Sequence, residues 1–505
     1  MDNDLNPSEY RIAGYAALIE RFHLDIVHPW HTSKVSPNTI HRVESSEGEV
    51  EETYPSRYWP GETIGDHLEF ALKHDGISLA VLDSLFEVIE EGDILKYVRS
   101  KPTGKYARRL WFLYELLTGK QLDLADLNQG NYVDLLERKQ YYTVSSPRQV
   151  RRQRINDNLL GNGSFCPTVR RTDTLGKFEK GDLRGRCRQV VSAYPPEILK
   201  RALSYLYTKE TKSSFEIEHI KPTSTRVGRF VSMLAMAEQE DFCNKAKLLE
   251  LQNMIVDPRF RDSDYRTNQN YVGQTVAWQR ERIHYVSPKP EDLKDLMKGL
   301  TAAHERMDDG EVSAVIHAAV VAYGFVFLHP FEDGNGRIHR FLIHNILARR
   351  GFTPDGLMFP VSASMLKNPA EYDDSLEAFS RKLMPLVEYS LDEEGHMLVH
   401  NETARWYRYI DMTPQAEALF QFIEQTIEIE LSTELAFLAN YDNTKNAIQQ
   451  IVDMPDRDID LFIRFCLQNH GKISSRKRAS HFDKLSDDEI RKMELAVASA
   501  YGTKD

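Results

Sequence analysis

Cysteine is scarce: Cys166, Cys187, Cys243 and Cys466 are the four in 505 residues, too few and too far apart for a disulfide framework. No two of them form a C-x-x-C pair, which removes the common zinc and redox spacings and leaves buried, reduced thiols as the expectation. The opening MDNDLNPSEYRIAGY has neither a basic n-region nor an apolar h-region, so no signal peptide is expected. Long apolar runs are missing too. The most apolar stretch, Ala314 to Leu328, carries His317 and Gly324 and falls short of the ~20 residues a bilayer span needs, so it reads as a buried central helix. Excess positive charge is also lacking. With 64 Lys and Arg against 76 Asp and Glu the net charge is −12, which argues against non-specific nucleic-acid binding by the chain as a whole. These absences together point to a cytoplasmic protein with neither a membrane nor a nucleic acid as partner.

What remains is ordinary for a soluble globular protein, 41% hydrophobic and 28% charged. The length is too great for one core and implies roughly two to four domains. Residues 1–147 alternate short helical segments, such as Ile77 to Leu95 and Tyr106 to Leu117, with polar turns, and an acidic stretch from Glu44 to Glu52 stands apart from them. No chemistry is visible there, and an accessory docking domain is the reading. Residues 148–194 shift in composition: between Arg148 and Arg188 eleven Lys or Arg face four Asp or Glu among Gly, Pro and Ser. This predicts a basic linker, or a surface for an acidic partner. Residues 195–390 form a third, helical region broken by Tyr265 to Gly273 and by Glu281 to Pro290. Within that break Arg282 to Val286 alternates and is rich in β-formers, which predicts a strand or hairpin. Residues 391–505 read as a polar helical domain without internal repeats.

One stretch, His329 to Arg340, HPFEDGNGRIHR, has residue types that make sense together as a phosphate site beside a base. Gly334 and Gly336 flank Asn335 in a tight turn that opens a helix, and such a turn offers unpaired N–H groups at the positive end of the helix dipole. Asn335 can add its side-chain amide, and Arg337 and Arg340, three apart, can fork onto one polyphosphate. Asp333 is the hard oxygen ligand a magnesium ion prefers. His329, with an ordinary pKa near ~6.5, suits proton abstraction.

This stretch resembles at every defining position the Fic signature, HPFx(D/E)GNGRxxR. The resemblance implies transfer of AMP from ATP to a protein hydroxyl, with His329 as catalytic base and Phe331 as anchor of the loop. It also implies magnesium on Asp333, an anion hole over Gly334, Asn335 and Gly336, and the outer phosphates on Arg337 and Arg340. Upstream, Ser214-x-x-x-Glu218 resembles the family's inhibitory-helix motif, (S/T)xxxE(G/N), within residues 209–220. There the resemblance implies a cis brake in which Glu218 pairs with Arg340, although His219 stands where the family usually has Gly or Asn. Residues 281–290 resemble the Fic flap, which takes an extended target segment by β-augmentation and so presents its Tyr, Ser or Thr hydroxyl; self-modification is a further expected reaction. Tyr372 is the candidate for the tyrosine common near the nucleotide base. The implied fold is mainly α, a Fic-type helical core with a small β-hairpin flap between N-terminal and C-terminal helical accessory domains. Transfer of another phosphate-containing group, removal of AMP, and a nucleotide-binding scaffold are the alternatives.

Overall fold

A computed structural model describes residues 10–37, 39, 41–46, 48–277, 280–354 and 356–502, and for 275–277, 280 and 281 the backbone alone. The first nine residues of the opening segment, read above for a leader, therefore lie outside the described residues. The chain is mainly helical with small sheets and divides into two compact units. The first comprises residues 1–180, 236–350 and 368–420, the second 181–235, 351–367 and 421–505.

In the first unit the centre is the helix Ala314–Leu328, nearly all of whose residues are buried. A helix apolar on every side has to be surrounded, and here its neighbours are Pro290–Asp309 and Asn335–Arg349. Pro290–Asp309 starts well: proline occupies its first turn, where no N–H is missed, and Glu291 and Asp292 face the positive end of its dipole. Gly299 and Gly324 admit Phe165 between these helices, since a Cβ on Gly299 would lie 2.7 Å from the Phe165 backbone nitrogen. Residues 148–194, read from composition as a basic linker, thus contribute buried Phe165, Cys166 and Val169. They also hold the short strands Arg148–Val150 and Ile155–Asp157 and the helices Asp173–Lys180 and Leu183–Ser192. Several of the arginines there are spent internally: Arg152 pairs with Glu115 at 3.1 Å and Asp126 at 2.7 Å, and Arg170 with Asp411 at 2.9 Å.

The N-terminal region contains a sheet that its sequence pattern does not announce, in the order Arg11–Ala13, His31–Val35, Glu49–Tyr54, Arg42–Ser46. The acidic stretch becomes strand because its carboxylates find partners: Glu51 meets Lys34 at 2.6 Å, and Glu52 meets His31 at 3.0 Å and His41 at 2.6 Å. Further on, Tyr271–Ala277 and Arg280–Val286 pair antiparallel with two register shifts, the hairpin expected around Arg282 to Val286. A second hairpin, Tyr389–Leu391 with Met397–Val399, occupies the start of the stretch read as helical. Asp392 makes its turn by accepting the N–H groups of Glu394 and His396 at 2.9 and 2.8 Å.

The second unit is helical. Pro196–Ile217 ends with His219 in left-handed backbone, φ 56°, while the N–H of Ile220 returns to the Phe215 carbonyl at 3.0 Å. That position suits Gly or Asn, which gives a physical reason for the family's preference where this chain has His. Ser432–Ile451, Asp456–Gln468 and Asp487–Tyr501 close a core around Ile448, Phe462 and Met493. Buried Glu430 is neutralised by Lys209 at 2.8 Å and Lys367 at 2.5 Å. All four cysteines are free and buried.

Gly299→Val should lower stability by about 1–3 kcal/mol or more, because the helix cannot then lie against the Phe165 backbone. Urea denaturation followed by circular dichroism measures it.

Candidate functional site

The helix Ala314–Leu328 ends where it does because Pro330 follows, and a residue before proline is kept out of right-handed helical backbone. His329 closes the helix in left-handed backbone, φ 49° and ψ 57°, its N–H bonded to the Phe325 carbonyl at 2.9 Å. Such backbone costs a non-glycine residue roughly 1–2 kcal/mol, so the surroundings have to hold it. His329 Nδ1 stands 3.1 Å from the Val326 carbonyl, which can only accept. Nδ1 therefore carries the proton, and Nε2 keeps a lone pair. Burial pushes the His329 pKa down to about 4, the Arg266 cation acting in the same direction and the Val326 carbonyl and Asp333 against it. The ring is neutral at pH values above that, in the form a base requires.

The loop that follows is locked by one side chain. Asn335 Oδ1 accepts the Phe331 N–H at 3.0 Å, and its Nδ2 donates to the Phe331 carbonyl at 2.7 Å. One of the two N–H donors of the Asn335 amide, and its oxygen, are thus engaged by the Phe331 backbone. Phe331 itself is fully buried beside Phe325 and Tyr265, the anchor expected of it. Gly334 has φ 94°, and a Cβ there would lie 3.0 Å from Val256 Cγ1. Glycine is required on both counts. The helix Asn335–Arg349 makes its first internal bond from the Ile338 N–H to the Gly334 carbonyl at 3.0 Å, so the turn containing Gly336 faces outward with no acceptor inside the helix.

Arg337 is buried and folds back along its helix, donating to Asp333 Oδ1 at 2.6 Å and to the Ile255 carbonyl at 3.1 Å. Arg340, also buried, donates to the Tyr372 hydroxyl at 3.4 Å. Tyr372 thus stands beside a phosphate-type arginine. Asp333 is half-buried and paired with Arg337, Glu332 beside it is exposed, and Asp262 accepts the Glu332 N–H on the same loop. Burial and the charge of Asp333 raise the Asp262 pKa; burial and Asp262 raise that of Glu332. Asp333, Asp262 and Glu332 thus place three carboxyl groups on one loop, the oxygen-rich donor set that a divalent cation fits. Signature residues His329, Asp333, Gly334, Asn335, Gly336, Arg337 and Arg340 are therefore gathered on one loop and helix start. Ser214, buried, and Glu218, half-buried, sit at the end of Pro196–Ile217 in the second unit.

Three contributors were not anticipated. Gln252 donates to Asp262 Oδ2 at 3.0 Å and to the Asp333 carbonyl at 3.4 Å, and accepts the Asp262 N–H at 3.1 Å. Tyr407 donates to the Val286 carbonyl at the flap's base, 2.6 Å away. Arg266 donates to the carbonyls of His329, Asn268 and Pro288 at 2.8, 2.7 and 2.6 Å. A signal exists for Arg266 alone: it is the single charged residue in the polar segment YRTNQNYVG.

Among the described residues a different group, Asp241, Cys243 and His304, places ligand-type atoms within 4.8 Å of one another. There Arg350 donates to His317 Nδ1 at 3.4 Å, which leaves His317 Nε2 to donate to His304 Nδ1 at 2.9 Å and His304 Nε2 to Asp241 at 3.2 Å. The donors already satisfy one another. A cleft of about 1100 Å³ elsewhere in the first unit, walled in part by Trp30, Asp75, Arg170 and Phe379, has none of the signature residues on its walls.

Residues 242–347 match the model of the Fic/DOC family, so this segment is a Fic domain. A protein named Protein adenylyltransferase Fic from Drosophila melanogaster is 36% identical over 114 residues, 21% of this chain and 20% of that one. Its namesake from Culex quinquefasciatus is 29% identical over 152 residues, covering 29% of this chain and 28% of the relative. The chain thus spans only about a fifth to a quarter of these relatives' length. A Fic family protein from Desulfovibrio desulfuricans G20 aligns with TM-score 0.36 and 16% identity over 66% of this chain and 86% of that one. A Fic domain containing signaling protein from Bacteroides thetaiotaomicron aligns with TM-score 0.37 and 19% identity over 50% and 96%.

Asn335→Ala should cost about 1–3 kcal/mol, the penalty of leaving the buried Phe331 backbone groups unmatched. Amide exchange should speed at residues 331 to 336 while the neighbouring helices keep their protection, as hydrogen-exchange mass spectrometry would read.

Proposed function

We propose that this protein transfers AMP from ATP to a hydroxyl of a target protein and is restrained in cis by Glu218. The observation that carries the reading is the neutral His329, protonated on Nδ1 so that Nε2 keeps its lone pair, on the loop that leads into the helix start at Gly334 to Gly336. Pure nucleotide binding needs no base there. In the proposed reaction the target's O–H gives its proton to His329 Nε2 and its oxygen bonds to the α-phosphorus. The bond to the bridging oxygen breaks, and pyrophosphate leaves. Magnesium, where bound, supplies charge neutralisation at the phosphates, and Asp333 would hold it. The outward N–H groups near Gly334 and Gly336 take phosphate oxygens, and Arg337 and Arg340 the outer phosphates. The target's Tyr, Ser or Thr reaches His329 by lying as an added strand along the flap around residues 281–290. The names of the curated relatives support ATP and a protein as the substrates.

Regulation follows from charge. Glu218 paired with Arg340 withholds that cation from the γ-phosphate, which disfavours productive ATP. The Ser214-x-x-x-Glu218 motif and the left-handed cap directly after it support this reading.

Incubation with ATP labelled at the α- or the γ-phosphate, followed by protein autoradiography, tests the transferred group. Protein-bound α label is expected; γ label alone means phosphate transfer, and neither label returns the site to nucleotide binding. His329→Ala should leave ATP affinity near the parent's while transfer falls by ~10²-fold or more. Because the base must be neutral and the His329 pKa is about 4, kcat/KM should hold constant from neutral pH downward and fall only as pH drops toward that value. An acid limb near ~6.5 would mean an ordinary histidine. A closed-state bias of about 2–2.7 kcal/mol leaves roughly 1–3% of molecules competent, so Glu218→Gly should raise self-labelling by about 30- to 100-fold. The gain should vanish when Arg340→Ala is added.

A further inference from the structure

One buried side chain ties the base to the flap. Arg266, 4% exposed, spends its guanidinium on carbonyls: Nε on His329 at 2.8 Å, one terminal nitrogen on Asn268 at 2.7 Å and the other on Pro288 at 2.6 Å. Asn268 lies just before the first flap strand and Pro288 just after the second, so a single planar group fixes both feet of the hairpin. The Arg266 backbone N–H adds a bond to the Pro330 carbonyl at 2.9 Å, so both peptide units around the His329–Pro330 turn are held from the same residue. A guanidinium suits this task because its donors diverge in one rigid plane; an ammonium on a flexible stem cannot hold three carbonyls so placed. Burial pushes the Arg266 pKa down to about 10, so it stays charged at neutral pH.

We propose that Arg266 is a positioning residue that sets the left-handed turn at His329 and the base of the flap in one fixed relation, so that a hydroxyl carried on the flap arrives at His329 Nε2. This rests on the transfer reaction proposed above and adds the element that couples target docking to the base. Besides Arg266, Asp333 is the charged group that acts on the His329 ring.

The test uses the full chain with Arg266→Lys and Arg266→Met. Three things are measured: self-labelling from α-labelled ATP, titration of His329 by NMR with carbon-13 histidine (the signal assigned by its loss in His329→Ala), and amide exchange. Both variants should lose about 10²-fold in kcat with KM for ATP within about twofold, the cost of a misplaced reacting group. His329 should titrate higher in Arg266→Met, where the neighbouring cation is gone, and near the parent value in Arg266→Lys, where it is kept. Exchange should speed together in the loop from His329 to Glu332 and in the strands of the flap. Parent-like kcat in either variant, or a loss confined to KM, overturns the proposal, as does exchange that speeds in the loop and not the flap. If Arg266→Met does not fold, Arg266→Lys decides by the same kcat and exchange criteria. If the parent transfers no α label, the transfer reading fails by itself, and joint or separate loosening of loop and flap still decides the role of Arg266.

Discussion

The left-handed turn at His329 is the constraint on which the rest of the site depends. It exists because Pro330 forbids the helix to continue, and it places the imidazole where Nδ1 reaches back to the Val326 carbonyl. That one hydrogen bond chooses the tautomer and hence which nitrogen is basic. The backbone cost of the turn is met by bonds to its own peptide groups, from Arg266 on one side and through the Asn335–Phe331 lock on the other. A site arranged in this way is organised before ligand arrives, which is what electrostatic catalysis of phosphoryl-type transfer requires.

Charge is distributed around this turn with a consistent logic. Two buried arginines, Arg337 and Arg340, bring positive charge to the helix start, the first held by Asp333 and the second by Tyr372. On the loop, partial burial and mutual repulsion raise the pKa values of Asp262 and Glu332, while half-buried Asp333 pairs with Arg337. In the proposed reaction the N–H and guanidinium donors would take the phosphates and the loop oxygens a divalent cation.

Much of this could be read from the residues. The apolar run from Ala314 to Leu328 announced a surrounded helix, the Gly-Asn-Gly turn a helix start, and Arg282 to Val286 a strand, because each depends on local pattern or on backbone freedom. The loop-locking role of Asn335 is not legible in an amide between two glycines, because its reciprocal bonds to Phe331 depend on the folded loop. The N-terminal sheet is not legible for a related reason: Glu44 to Glu52 reads only as an acidic stretch unless Lys34, His31 and His41 are known to pair with its carboxylates. Gln252, Arg266 and Tyr407 act through carbonyls or across long sequence separations, and backbone acceptors leave no trace in side-chain patterns. Basic composition in residues 148–194 suggests a linker, whereas Arg152 and Arg170 pair with carboxylates distant in sequence and Phe165 fills the gap left by two glycines.

The tautomer and charge of His329 can be measured most directly by long-range nitrogen-15 correlation NMR of the histidine rings, with the His329 signals assigned by their loss in His329→Ala. A neutral ring protonated on Nδ1 at neutral pH, keeping that form well below pH ~6.5, is predicted. A ring protonated on Nε2, or one half-charged near ~6.5, would contradict the assignment of Nε2 as the base.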